Sequence, residues 1–116
     1  MSEHQQQVTV MQWTALMVNK YPFIDLLHAI PNGGARHIAV AKKLKAEGVK
    51  AGVPDLCLPV ARGGYHGLYI EMKDKTGKVS KCQAWWIERL RQNKYLVEVC
   101  YSATEAIKVL EDYYAG

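Results

Sequence analysis

Three residues in the middle of the chain have types and spacing that suit catalysis. Glu71 and Lys73 stand two apart in segment 67–73, where Leu68, Ile70 and Met72 alternate with Tyr69, Glu71 and Lys73. A period of two predicts a strand, with Glu71 and Lys73 projecting from one face. Asp55 leads into Leu56-Cys57-Leu58, a second short strand. If Arg62-Gly63-Gly64 forms a hairpin-type turn that makes the two strands neighbours, Asp55 approaches Glu71 across the pair. Two carboxylates offer hard oxygen ligands for a divalent cation such as magnesium. That cation neutralises charge on a phosphodiester and lowers the pKa of a bound water, while a nearby lysine positions or deprotonates the water. The same pattern also describes ordinary solvent-facing residues of an edge strand, and a motif this short does not separate the two.

The elements that must position these residues follow from periodicity and punctuation. Val10, Trp13 and Met17 recur at helical spacing and predict a first helix over roughly 3–20, with Pro22 ending or offsetting it. The apolar run 23–30 suits a short strand or a buried helical turn. A second helix is expected over about 35–47, with His37, Val40, Ala41 and Leu44 on one stripe and Gly48 at its C-terminus. His37 lies on that apolar stripe, which reads as a core histidine. Ser80-x-x-Gln83 has the form of a capping box and opens a helix to about Gln92, and Ser102-x-x-Glu105 opens the last one as a second box. Between them, 95–101 is rich in strand formers. The fold class is mixed α/β, a small mixed sheet flanked by helices in the order α-β-α-β-β-α-β-α.

Composition bounds the rest. The chain has 116 residues, 49% hydrophobic and 22% charged, the balance of one domain with a real core, taken as 1–116. That excludes intrinsic disorder, and no apolar run is long enough for a transmembrane helix. The polar start, 1–7, does not read as a signal peptide. Cys57, Cys82 and Cys100 are an odd set without CxxC spacing, which points to reduced, buried thiols in a cytoplasmic protein rather than to disulfides or zinc. His4, His28, His37 and His66 lack metal-ligand spacing. Net charge is +4, but residues 36–94 carry +8 against −1 before them and −3 after. Such a basic middle suits a polyanionic partner or a plain solvated face.

Taken in order, Gly52-Val53-Pro54-Asp55, Ile70-Glu71-Met72-Lys73 and Gln83-x-x-Trp86 resemble the PD-(D/E)xK nuclease superfamily. More narrowly, they resemble its virus-type replication-repair nuclease (VRR-NUC) family, in the small stand-alone form of phage and prophage members. Glu3 and Gln7 ahead of Trp13, and segments 29–34 and 44–49, extend that resemblance over nearly the whole chain. The resemblance implies a restriction-endonuclease-like fold and a Mg2+- or Mn2+-dependent site that hydrolyses phosphodiester bonds, with no small-molecule cofactor and no membrane role. Carried over by position, Asp55, Glu71 and the main-chain carbonyl of Met72 would be metal ligands. Lys73 would orient the attacking water, Glu3 would be an acid brought near the metal by the first helix, and Gln83 the glutamine of the following helix. Gln83 also has a purely capping explanation, and Glu3 a solvated one.

Small members of that family act as homodimers on branched DNA, four-way (Holliday) junctions in particular, in a bacterial or phage-infected cell. The loop Asn32-Gly33-Gly34 reads as a phosphate approach or a simple turn. Asn32, Arg36, Lys42, Lys43 and Lys45 would meet the DNA backbone. Trp85 and Trp86 cannot both face the core of one helix. Trp86, with Ile87 and Leu90, is the core residue, which leaves Trp85 for a dimer contact, DNA stacking or rim packing. Two readings from other classes remain beside the nuclease: a non-catalytic DNA-binding module, and a protein-interaction subunit of a replication or repair complex.

Overall fold

A computed structural model describes residues 1–31 and 37–116. Its elements are α1 (Glu3–Leu16), a 3-10 turn (Ile24–Leu26), β1 (His28–Ala29), α2 (Ile38–Ala46), β2 (Leu56–Leu58), β3 (Leu68–Met72), α3 (Lys81–Gln92), β4 (Leu96–Cys100) and α4 (Ala103–Ala115). The four strands form one sheet in the order β1-β2-β3-β4. β1, β2 and β3 pair antiparallel, and β4 joins β3 in parallel after the α3 crossover. The expected architecture is therefore present, with one 3-10 turn added. Segment 23–30 is both things its sequence allowed, a helical turn and then a strand.

The core forms where α1 and α4 cover one face of the sheet. Leu56, Leu58, Leu68, Ile70 and Met72 from the strands meet Val10 of α1 and Ala106, Leu110 and Tyr113 of α4, all buried. Trp13 and Met17 pack against that core, as the helical stripe predicts. The turn at Arg62 to Tyr65 places Gly63 and Gly64 at φ of 59° and 86°, and Tyr65 N–H donates to the Arg62 carbonyl at 2.9 Å. Positive φ at both central residues is the primed turn whose twist matches antiparallel strands. It feeds β2 into β3 and so makes them neighbours.

Four expectations need correction. α1 ends at Leu16, before Pro22, because the chain leaves the helix through turns closed onto the Thr14 and Met17 carbonyls. α2 starts at Ile38 with His37 as its cap: His37 Nδ1 accepts from Ala39 N–H at 3.3 Å and the ring is exposed, so it is not a core histidine. Ser102 caps α4, but Glu105 accepts from Tyr101 N–H instead of closing a box onto Ser102. Of the three thiols, Cys57 and Cys100 are buried and Cys82 is exposed.

Candidate functional site

The register fixes the centre of the site. Leu56 pairs with Ile70 in the antiparallel β2–β3 ladder, so the residue before β2, Asp55, stands beside the C-terminal end of β3. Its backbone is held from the other side, where Ile30 N–H donates to the Asp55 carbonyl at 2.8 Å. Its carboxylate Oδ2 accepts the Met72 N–H at 2.7 Å, which tethers the side chain to the end of β3. A short charge-assisted bond of this kind fixes the carboxylate in place.

Glu71, on a strand with neighbours on both sides, is 1% exposed, and Lys73, one residue past its end, 8%. The solvent-facing edge-strand explanation of the Glu-x-Lys pair is thereby excluded. Glu71 Oε2 accepts from Gln83 Nε2 at 3.2 Å and lies 3.8 Å from Lys73 Nζ. Glu71 Oε1 is buried with no hydrogen-bond partner. Burial, then the facing Asp55 carboxyl, push the Glu71 pKa up to about 9; Lys73 opposes that rise and the Glu3 charge adds to it. A carboxyl kept out of water beside another acid is held in its protonated form.

Lys73 is held through both its backbone and its stem. Its N–H donates to the Cys100 carbonyl at 2.8 Å, continuing the β3–β4 ladder. Gly77 packs on its stem: a methyl at Gly77 would meet Lys73 Cδ at 3.2 Å. The Asp74 carboxylate fixes that loop by accepting from Thr76 N–H and Oγ1.

Gln83 serves two sites at once. Its Oε1 accepts the Ser80 N–H at 2.9 Å, completing the capping box with Ser80 Oγ, while its Nε2 reaches Glu71. The cap therefore orients the amide toward the carboxylate. Glu3, in the first turn of α1, is half-buried and acts on Glu71 through its charge. Among the described residues, no three His, Cys, Asp or Glu side chains gather closely enough to form a metal-ligand group. The close pair is Asp55 and Glu71, with Glu3 further out.

Lys42, Lys43 and Lys45 are exposed on α2, a helix with no buried residue. Asn32 and Arg36, with Gly33 and Gly34, lie outside the described residues. Trp85 is 49% exposed, with the Arg89 guanidinium 3.9 Å over its ring and Trp86 edge-on to it, while Ile87 is buried and Trp86 and Leu90 half-buried. Two contributors escaped the sequence reading. Gln6 Oε1 accepts Ala103 N–H at 2.7 Å and so ties α1 to the start of α4. Gly52, in the loop before Asp55, packs on Cys82. The Gly-x-Pro-Asp string held the only sign of Gly52.

Comparison with known proteins follows the same lines. The VRR-NUC domain model matches residues 1–104. A solved structure described as a VRR_NUC domain protein superposes with a TM-score of 0.83 at 34% identity, covering 99% of this chain and 89% of that one. No curated protein matches.

Proposed function

Because this chain belongs to the VRR-NUC family, a nuclease-type DNA-processing domain, we propose that it is a Mg2+- or Mn2+-dependent endonuclease acting as a homodimer on branched DNA. The observation that carries the metal site is the buried Glu71 carboxyl set against the Asp55 carboxyl, with no N–H donor reaching its Oε1. Ionising two facing acids where one is buried is costly, and a hard divalent cation between them removes that cost. The donor set fits: two carboxylates, with Glu3 as an outer acid whose charge reaches Glu71, and the Met72 carbonyl would join them.

When bound there, the cation would supply charge neutralisation for the scissile phosphate and a more acidic water. The protein's own groups do the rest. Asp55, anchored by Met72 N–H, and Glu71, oriented by Gln83 Nε2, present their oxygens in a fixed arrangement. Lys73 Nζ, held beside Glu71, orients the attacking water, takes up its proton or balances the charge that develops on the phosphate. The basic residues Arg36, Lys42, Lys43 and Lys45, with Asn32, grip the DNA backbone.

The homodimer reading rests on symmetry. Among the described residues one chain carries one such site, and paired cuts across a two-fold junction need two related by a dyad. Three free cysteines suit a reducing cytoplasm. Among the described residues no helix is long and apolar enough to cross a membrane. The test is a panel of four-way junction, flap and duplex DNA with and without Mg2+. Metal-dependent cleavage of the junction that Asp55→Asn abolishes supports the proposal. Binding without cleavage in any metal would contradict it and favour a DNA-binding module.

A further inference from the structure

The loop that ends in Asp55 touches the first turn of α3 at one tight point. Gly52 has φ +92°, and a methyl group there would stand 2.6 Å from Cys82 Sγ and 2.8 Å from both the carbonyl carbon and oxygen of Cys82. Only a residue without a Cβ lets the two backbones come this close. Cys82 Sγ closes the contact from its side by donating to the Ala51 carbonyl at 3.0 Å. Gly52 is three residues from Asp55, with the buried, φ-restricted Pro54 between them, and Cys82 is the residue before Gln83. The contact therefore joins the segment that carries Asp55 to the segment that carries the Glu71 partner Gln83.

Gly48 provides an internal comparison. It too has positive φ, +103°, yet nothing lies within 4 Å of where its Cβ would be. It ends α2, with Gly48 N–H donating to the Lys45 carbonyl and Val49 N–H to that of Leu44. Gly48 meets a need of the backbone alone, whereas Gly52 meets a backbone need and a close approach.

We propose that Gly52 and Cys82 are positioning residues whose close packing sets the Asp55 carboxylate against the Glu71–Gln83 pair, and through it the geometry of the divalent-cation site. The functional meaning of this packing rests on the nuclease reading above. The packing itself has reporters that need neither metal nor activity. The Met72 amide is bonded to Asp55 Oδ2, and the Gln83 side-chain amide to Glu71.

The test compares Gly52→Ala, Cys82→Leu, Cys82→Ser and Gly48→Ala with the unaltered chain by amide NMR without metal, Mg2+ titration calorimetry and thermal unfolding. Gly52→Ala and Cys82→Leu are expected to move the Met72 and Gln83 amide signals. They should also weaken Mg2+ binding by roughly 10–100-fold, the range for supports of metal ligands. Cys82→Ser, small and still able to donate to Ala51, should keep both signals and the affinity. Gly48→Ala should lower the melting temperature and leave the two signals in place. If Gly52→Ala does not fold, Cys82→Leu carries the test. Unmoved Met72 and Gln83 signals in Gly52→Ala or Cys82→Leu would overturn the proposal, as would the same shift in Gly48→Ala. If the unaltered chain neither binds Mg2+ nor cuts DNA, the nuclease reading fails, while the two amide signals still decide the positioning.

Discussion

The end of β3 and the helix α2 are built on opposite terms. At the end of β3, Asp55, Glu71, Lys73 and Gln83 are each held by at least one hydrogen bond or ion pair from a different element, and Glu71 and Lys73 are buried. α2 buries nothing. Ile38 is 71% and Val40 46% exposed, and Lys42, Lys43 and Lys45 face solvent. The first region keeps ionisable groups in a preorganised array, which is what chemistry needs. The second commits no packing to its charges, which suits a long polyanion gripped at several weak points. Mutations should separate the two: substitutions at the β3 end change turnover or metal binding, and substitutions on α2 change DNA affinity.

The largest effect is expected from Lys73→Ala, a drop in cleavage rate of about 10²–10⁴-fold, the usual contribution of a positioned proton-transfer group. DNA affinity should stay within a few-fold in a filter-binding assay. Parallel loss of both would dissolve the division between the two regions.

Next is the buried carboxyl. Glu71 has a folded-state pKa raised from 4.5 to about 9. The folded chain thus binds a proton more tightly than the unfolded one. The stability this provides is complete below pH 4.5 and is lost as pH rises toward about 9. Metal-free protein should therefore melt at a lower temperature at pH 8 than at pH 5, and Glu71→Gln should flatten that slope while abolishing cleavage. An equal slope in both proteins would place the titrating group elsewhere.

Replacing Lys42, Lys43 and Lys45 together by Ala should reduce the slope of log affinity against log salt by about 0.9 for each phosphate that these lysines neutralise. With no buried residue in α2, stability should change by less than about 0.5 kcal/mol per site. A large loss of stability would mean that this helix is packed after all.

The smallest effect separates a cap from a ligand-orienting amide. Ser80→Ala should cost about 1 kcal/mol and leave turnover within a few-fold. Gln83→Ala should cost a similar amount and also lower turnover, because the amide reaches Glu71 as well as Ser80. Thermal unfolding with steady-state cleavage rates reads both.

Local rules made the β3 end legible. Alternation located β3, the Arg62-Gly63-Gly64 turn made β2 its neighbour, and Ser80-x-x-Gln83 marked the start of α3, all as found. The same capping pattern at Ser2 and Gln5 starts α1. Local rules do not tell that β3 is flanked on both sides, since alternation is the same for an edge strand and an inner one. The burial of Glu71 and Lys73 therefore follows from the sheet order and not from the strand's own residues. Local rules also misplace His37, because a helical stripe predicts an apolar face and not whether anything covers it. The Gly52–Cys82 approach spans 30 residues and leaves no periodic trace. The resemblance over Asp55, Glu71, Lys73 and Gln83 reached the family, and the matched family model agrees.

In the proposed function, Asp55 and Glu71 together hold a divalent cation. Mn2+ titration calorimetry on the unaltered chain and on Asp55→Asn tests it most directly, with Lys42→Ala as the α2 control. Saturable binding that Asp55→Asn loses and Lys42→Ala keeps is the predicted result. No binding to the unaltered chain, or equal binding to Asp55→Asn, would contradict it.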